Sequence, residues 1–221
     1  MLIIFLKYPE PGMVKTRLAQ VIGNEKAAEL YSAMARTVIH NVSKSGDYKK
    51  IIFFDPPERK TDVEKWLSKS MNLGGNRRKK KSQGYFSLLP QRGNSLGQKM
   101  ASAFDTVFSL GVEKAVIIGT DCIDISVEII SEAFDSLQTT DVVLGPAQDG
   151  GYYLLGLTKQ NPVIFNNIDW GTEFVLPQTL KKIKEKRLHF ELLKTLRDVD
   201  KVSDLYDELL LALGIQKGEN W

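Results

Sequence analysis

Residues 2–18, LIIFLKYPEPGMVKTRL, decide how this chain is organised. Leu2 to Leu6 form an unbroken apolar run, which suits a strand buried on both faces, as parallel sheets require. Pro9, Pro11 and Gly12 then stop any regular element, and Lys15, Thr16 and Arg17 follow at once. Behind them Ala27, Leu30, Tyr31, Met34, Val38 and Val42 recur at helical spacing. The order is therefore strand, Pro/Gly loop, cationic turn, helix. In open α/β sheets such a turn lies over the carboxyl edge of its strand, where ligands bind. Two cations beside the backbone N–H groups that open a helix form a receptor for phosphate. A cation at that end gains nothing from the helix dipole, so mere decoration of a helix start is the weaker explanation of Lys15 and Arg17.

The same alternation continues along the chain. Ile51 to Phe54 reads as a second strand closed by Asp55-Pro56-Pro57, and Thr61 to Ser70 as a helix around Val63, Trp66 and Leu67. Tyr85 to Leu89 is a strand, and Ser95 caps a helix with Leu96, Met100, Ala103, Phe104 and Val107 on its apolar face. Strands are expected at Ala115 to Ile118, Val142 to Leu144 and Tyr152 to Leu157. Helices are expected after Ser126 and from Trp170-Gly171-Thr172 to about Arg187, with Thr172 as N-cap. A last strand falls at His189 to Leu193. Asp200 then caps a C-terminal helix carrying Leu205, Leu209, Leu210 and Leu213, its side chain accepting from the backbone near Ser203. Strands alternating with helices give an α/β sandwich with a mostly parallel sheet, expected as a single domain over residues 1–221.

Composition bounds the function. The chain has 221 residues, 43% hydrophobic and 26% charged, the balance of an ordinary globular protein. A formal net charge of +3 is too small to imply nucleic acid. The run Arg77 to Lys81 (RRKKK), inside the loop Asn72 to Gly84, lacks interleaved aromatics and reads as a solvated loop. No apolar run approaches the roughly 18 residues of a membrane span, and no signal-peptide pattern opens the chain. One cysteine, Cys122, excludes an internal disulfide, and a cytoplasmic location is expected. His40 and His189 lie far from Cys122 and from each other, which argues against a His/Cys zinc site. Carboxylates, cations and a hard metal remain as the carriers of chemistry.

Asp121 and Asp149 each stand a few residues beyond a buried strand, which brings both to the edge that holds Lys15 and Arg17. Two carboxylates opposite two cations suit a diphosphate bound through Mg²⁺ or Mn²⁺. Gly150 and Gly151 let the backbone approach a bulky ligand. Asp124 is a weaker third carboxylate, and Asp198 ranks below Asp121 and Asp149 as a further one.

KYPEPGMVKTRL, GTDCID, LGPAQDGGYYLLGL, IDWGT and RDVD occur in this order over nearly the whole chain. Together they resemble a bacterial family of uncharacterised glycosyltransferase-like proteins related to the GT-A nucleotide-diphospho-sugar transferases. The resemblance implies a Rossmann-like GT-A three-layer sandwich, a nucleotide donor and a divalent metal. It carries phosphate binding onto Lys7, Lys15 and Arg17, within a donor loop that includes Pro11, Gly12 and Thr16. It carries the metal site onto Asp121 with Asp149, and an acceptor-side role onto Trp170. The KTRL turn is also similar to that of guanylyltransferases that activate phospholactate.

Three departures stand out. Ser95 occupies a position usually acidic in the family, Ile123 replaces a proline, and Gly171 replaces a serine. The expected activity is metal-dependent transfer of a sugar from a nucleotide-diphosphate sugar to a small-molecule acceptor. Nucleotidyl transfer from a triphosphate is the alternative, and a non-catalytic nucleotide-binding module a third reading. The first loop has one glycine, two prolines and Glu10, which would repel a γ-phosphate if it pointed inward; this favours a diphosphate donor.

Overall fold

The computed structural model describes residues 1–70, 86–205 and 210–211. The basic run Arg77 to Lys81 and most of the expected C-terminal helix lie outside the described residues. One seven-stranded sheet runs through the molecule in the order β3-β2-β1-β4-β6-β5-β7. Its strands are β1 (Leu2–Lys7), β2 (Lys50–Asp55), β3 (Ser87–Pro90), β4 (Ala115–Ile118), β5 (Val142–Pro146), β6 (Tyr152–Leu157) and β7 (Phe190–Leu192). β6 runs antiparallel to both its neighbours, and every other pairing is parallel.

Among the described residues, helices flank the sheet as α1 (Thr16–Ile22), α2 (Asn24–Ser43), α3 (Lys60–Ser70), α4 (Leu96–Ser109), α5 (Val127–Ser136) and α6 (Val175–Glu185), with α1 packed against α2. Burial on both sides explains why the central strands read as continuous apolar runs. Alternate residues of β1 enter different layers. Leu2, Ile4 and Leu6 pack with Tyr31, Val38 and Val42 of α2 and with Ile129 and Ala133 of α5. Ile3 joins Met100, Phe104 and Val107 of α4 and Ile183 of α6. The expected Rossmann-like, three-layer α/β sandwich with a mostly parallel sheet is what forms.

Ser95 caps its helix as expected and Ser126 precedes α5 without a side-chain cap bond, while two expected caps are exceptions. The Ser95 side chain accepts from the Gln98 N–H at 3.2 Å and caps α4 as its position predicts. Thr172, expected as the cap of α6, stands three residues ahead of the helix. Its hydroxyl donates to the Asp169 carbonyl and accepts the Phe174 N–H, so it closes a local turn, and Phe174 takes the cap position. The second exception, Asp200, belongs to the site.

β1 is paired on one side with β2, which leads outward to β3, and on the other with β4. The connections leaving β1 and β4 therefore diverge in opposite directions. A crevice opens beyond the carboxyl ends of adjacent strands at such a switch point.

Candidate active site

A cavity of about 690 Å³ occupies that crevice. Lys7 reaches it from the end of β1, Lys15 from the loop that follows, Thr16 and Arg17 from the start of α1, Asp121 from the turn after β4, and Asp149 from the β5–β6 turn. Asp198 and Asp200 arrive from the segment after β7. That segment is led there by its pairing with β5. Leu196 N–H bonds the Pro146 carbonyl at 3.0 Å, Gln148 N–H bonds the Leu196 carbonyl at 3.1 Å, and Val199 N–H then bonds the Asp121 carbonyl at 3.2 Å.

Lys15 is the residue on which the crevice turns. It sits immediately before α1 in the left-handed region, φ 48° and ψ 45°, which is uncommon for a non-glycine residue. Its side chain is 6% exposed, and Nζ lies 2.6 Å from Asp121 Oδ1. The carboxylate of Asp121 is itself half exposed, so the pair is buried on the cation's side and open to ligands on the other. Arg17 is held differently. Its Nη1 bonds Asp200 Oδ2 at 2.8 Å, and Nη2 reaches the Gly171 carbonyl at 3.5 Å. Asp200 is thus a partner of Arg17 and not a helix cap. The Asp204 carboxylate accepts the N–H groups of Asp200 and Lys201, because the chain at Val202–Asp204 forms a single tight 3₁₀ turn.

Tyr31 ties the two halves of the crevice together. Its hydroxyl accepts the N–H of Lys7 at 2.9 Å and lies 2.9 Å from Thr120 Oγ1, linking the end of β1 to the turn that presents Asp121. Burial, and secondarily the charge of Asp121, push the phenol well above its ordinary range, so it remains a neutral hydroxyl.

Asp198 is half-buried. Burial first, and then the charges of Asp149 and Asp121, raise its carboxyl to about 6, against the opposing pull of Lys15. Three carboxylates and a buried ammonium therefore share one field. Asp149 Oδ1 accepts the Gly151 N–H at 2.8 Å, which fixes its side chain over the β5–β6 turn.

Other expected site residues stand outside the cavity wall. Pro11 and Gly12 form the centre of a turn closed by the Met13 N–H to the Glu10 carbonyl at 3.0 Å, with Gly12 at φ 80°. Proline followed by a positive-φ glycine is the pattern of a type II turn, so both serve the loop's shape. Gly150 has φ 90°, and a Cβ there would meet the Glu173 backbone at 2.4 Å; its missing side chain makes room for protein. Trp170 packs edge-on against Tyr152 and lies over Gly97, where a Cβ would come within 2.8 Å of the indole. Asp124 is exposed and does not line the cavity. Glu10 turns away from it and pairs with Arg59, which also binds Asp62. Asp198, expected to rank below Asp121 and Asp149, lines the cavity with them, and Tyr31, expected only on the apolar face of its helix, brings its hydroxyl to the crevice. The signals were Asp198's place beyond the carboxyl end of a strand, and the need of a buried phenol for a partner.

Among the described residues, no group of three or more His, Cys, Asp or Glu side chains forms a metal-holding cluster. Each of Asp121 and Asp149 engages one carboxylate oxygen within the protein. Such a donor set does not fit a metal caged by protein alone. It fits a hard cation held through one or two carboxylates and completed by phosphate oxygens.

The chain is similar to several solved structures. A "putative nucleotide-diphospho-sugar transferase" from Desulfovibrio desulfuricans is 34% identical, with a TM-score of 0.77, over 92% of this chain and 83% of that one. The fold is shared with the inositol-1-phosphate CTP transferase of T. maritima, at 14% identity and TM-score 0.57, over 96% and 94% of the two chains. It is shared also with the 4-diphosphocytidyl-2C-methyl-D-erythritol synthase of Anaerococcus prevotii, at 8% identity and TM-score 0.57, over 97% and 95%. Comparison with curated protein sequences gave no match. The model of the DUF2064 family, described as an uncharacterized protein conserved in bacteria, matches residues 38–172, which include Asp121, Asp149 and Trp170. With that match and the 34% identity over nearly its full length, the chain belongs to the DUF2064 family.

Proposed function

We propose that the protein is a divalent-metal-dependent transferase that takes a sugar from a nucleotide-diphosphate sugar. The observation that carries this reading is the buried Lys15 ammonium set against the half-exposed Asp121 carboxylate at the switch point of the sheet. Lys15 binds the donor diphosphate, with Lys7 and Arg17 supplying further cations along the loop and α1. Asp121 and Asp149 hold Mg²⁺ or Mn²⁺ together with the phosphate oxygens. The metal, when bound, acts as a Lewis acid toward the departing diphosphate. Cations already placed where that charge develops supply electrostatic stabilisation, commonly the largest catalytic contribution. Tyr31 keeps the loops after β1 and β4 in register, so that Lys15 and Asp121 face the same phosphates. The name of the 34%-identical relative supports the same donor class.

A nucleotidyltransferase reading is favoured by one specific observation. Glu10 is engaged by Arg59 on the far side of its loop, so it does not stand against a γ-phosphate. The same cations would then face departing pyrophosphate. A calorimetric panel decides between the readings, with UDP, GDP, CDP, their sugar conjugates and the matching triphosphates, each with Mn²⁺. Tighter binding of diphosphates and nucleotide sugars, with Asp121→Ala abolishing the metal dependence, is expected. Preference for a triphosphate, with pyrophosphate released on adding a phosphorylated acceptor, overturns sugar transfer. Metal-dependent nucleotide binding that survives Asp121→Ala overturns the metal assignment.

A further inference from the structure

A second cavity of about 800 Å³ adjoins the first, and Arg17, Asp149, Gly171, Asp198 and Asp200 line both. The two cavities therefore share a wall beside the donor site proposed at Lys15. Beyond that wall the chemistry changes. The second cavity is lined by Arg17, Arg197 and Lys201 against Asp149, Glu173, Asp198, Asp200 and Asp204, three cations facing five carboxylates. Arg17 is engaged by Asp200 at 2.8 Å and Arg197 by Asp204 at 3.3 Å. With Asp149 given to the metal in the proposed function, what remains is Lys201 against Glu173 and Asp198, so the balance of side-chain charge on a ligand there is negative.

Phe174 adds an independent observation. A phenylalanine on this wall is 54% exposed, at the cap of α6, where its ring plays no part in the buried core. Carboxylates beside an exposed aromatic face suit a particular kind of molecule. The carboxylates accept hydrogen bonds from hydroxyl groups, and the ring covers an apolar C–H surface. A carbohydrate ring offers both. A phosphate monoester, carrying close to two negative charges near neutral pH, meets repulsion from the same carboxylates.

We propose that this second cavity is the acceptor site and that it takes an uncharged carbohydrate, bound across Phe174 with its hydroxyls donating to Glu173. The proposal rests on the transferase reading and adds the acceptor class to it. It also separates sugar transfer from nucleotidyl transfer, because the latter uses an anionic acceptor in the alternative described above.

The test is saturation-transfer NMR on the full chain with UDP or GDP and Mg²⁺, which is diamagnetic and leaves ligand signals intact. The probes are methyl glycosides of glucose, galactose, mannose and N-acetylglucosamine, compared with glucose-1-phosphate and glycerol-3-phosphate. Ring-proton signals from at least one methyl glycoside are expected. They should fall at least fivefold in Phe174→Ala and in Glu173→Gln, while nucleoside diphosphate affinity in calorimetry stays within twofold. Both side chains are exposed, so a circular-dichroism melt should coincide with the parent's. Absence of binding by all four glycosides overturns the proposal. So does a phosphate monoester binding more tightly than its neutral counterpart, or a glycoside signal indifferent to both substitutions. If the glycoside binds and depends on Phe174 while no nucleotide binds, the carbohydrate site stands and the donor reading fails.

Discussion

Lys15 Nζ lies 2.6 Å from Asp121 Oδ1, joining the turn after β1 to the turn after β4 across the switch point of the sheet. The two ends of this pair differ sharply in exposure, 6% for the lysine side chain and 53% for the aspartate. An ion pair exposed at both ends contributes little, because water screens it and its side chains lose entropy. Here the lysine is already desolvated and held before any ligand arrives. A phosphate that replaces or joins Asp121 beside Lys15 meets a preorganised charge.

Lys15→Met should therefore weaken nucleoside diphosphate binding by roughly 10- to 100-fold, the range expected for losing one charged hydrogen bond. Titration calorimetry with Mn²⁺ present measures it. An unchanged affinity would remove Lys15 from the donor site.

Tyr31→Phe keeps the ring packed against the sheet but removes the hydroxyl shared by the Lys7 N–H and Thr120 Oγ1. Leaving buried polar groups without a partner costs about 1–3 kcal/mol, which urea denaturation would detect. Nucleotide affinity should fall as well, since the bond aligns both loops. Full stability in the variant would show that the shared hydroxyl carries no such weight.

Asp198 predicts a pH dependence. Its carboxyl is raised from 3.8 to about 6 in the folded chain, by burial first and then by Asp149 and Asp121. Between pH 4 and 6 the folded state therefore binds more protons at this residue than the unfolded state does. Linkage gives this residue a contribution to stability that declines as pH rises through that window. The stability difference between the parent protein and Asp198→Asn, from urea titrations at pH 4, 5, 6 and 7, should shift against the parent with rising pH. It should level off above about pH 7, once the folded carboxyl is fully ionised. A difference independent of pH would contradict the raised value.

Cys122, beside Asp121, is 2% exposed, and burial pushes its thiol to about 12. The thiolate is the reactive form, so this side chain should resist disulfide reagents at pH 8 in the native protein. One equivalent should react on addition of guanidinium, because the chain has a single cysteine. Rapid native labelling would mean that the turn after β4 opens readily.

The strands and helices were legible in the residues themselves. Ala115–Ile118 and Tyr152–Leu157 form with the boundaries their apolar runs predict, and Ser95 caps its helix as a serine in that position should. The approach of Lys15, Arg17, Asp121 and Asp149 to one sheet edge also followed from the sequence, because each lies just beyond the end of an element whose period is local. Partner choice did not follow. Arg17 meets Asp200 across 183 residues, Tyr31 meets Thr120 across 89, and Glu10 is drawn to Arg59 across 49. Asp200 lost its expected capping role, and Asp198 entered the crevice, because the segment after β7 pairs with β5 and carries them there. Periodicity and propensity act over one or two turns of chain. Which strands lie side by side is decided by burying both faces of a single sheet, and only that tertiary order determines which charges meet.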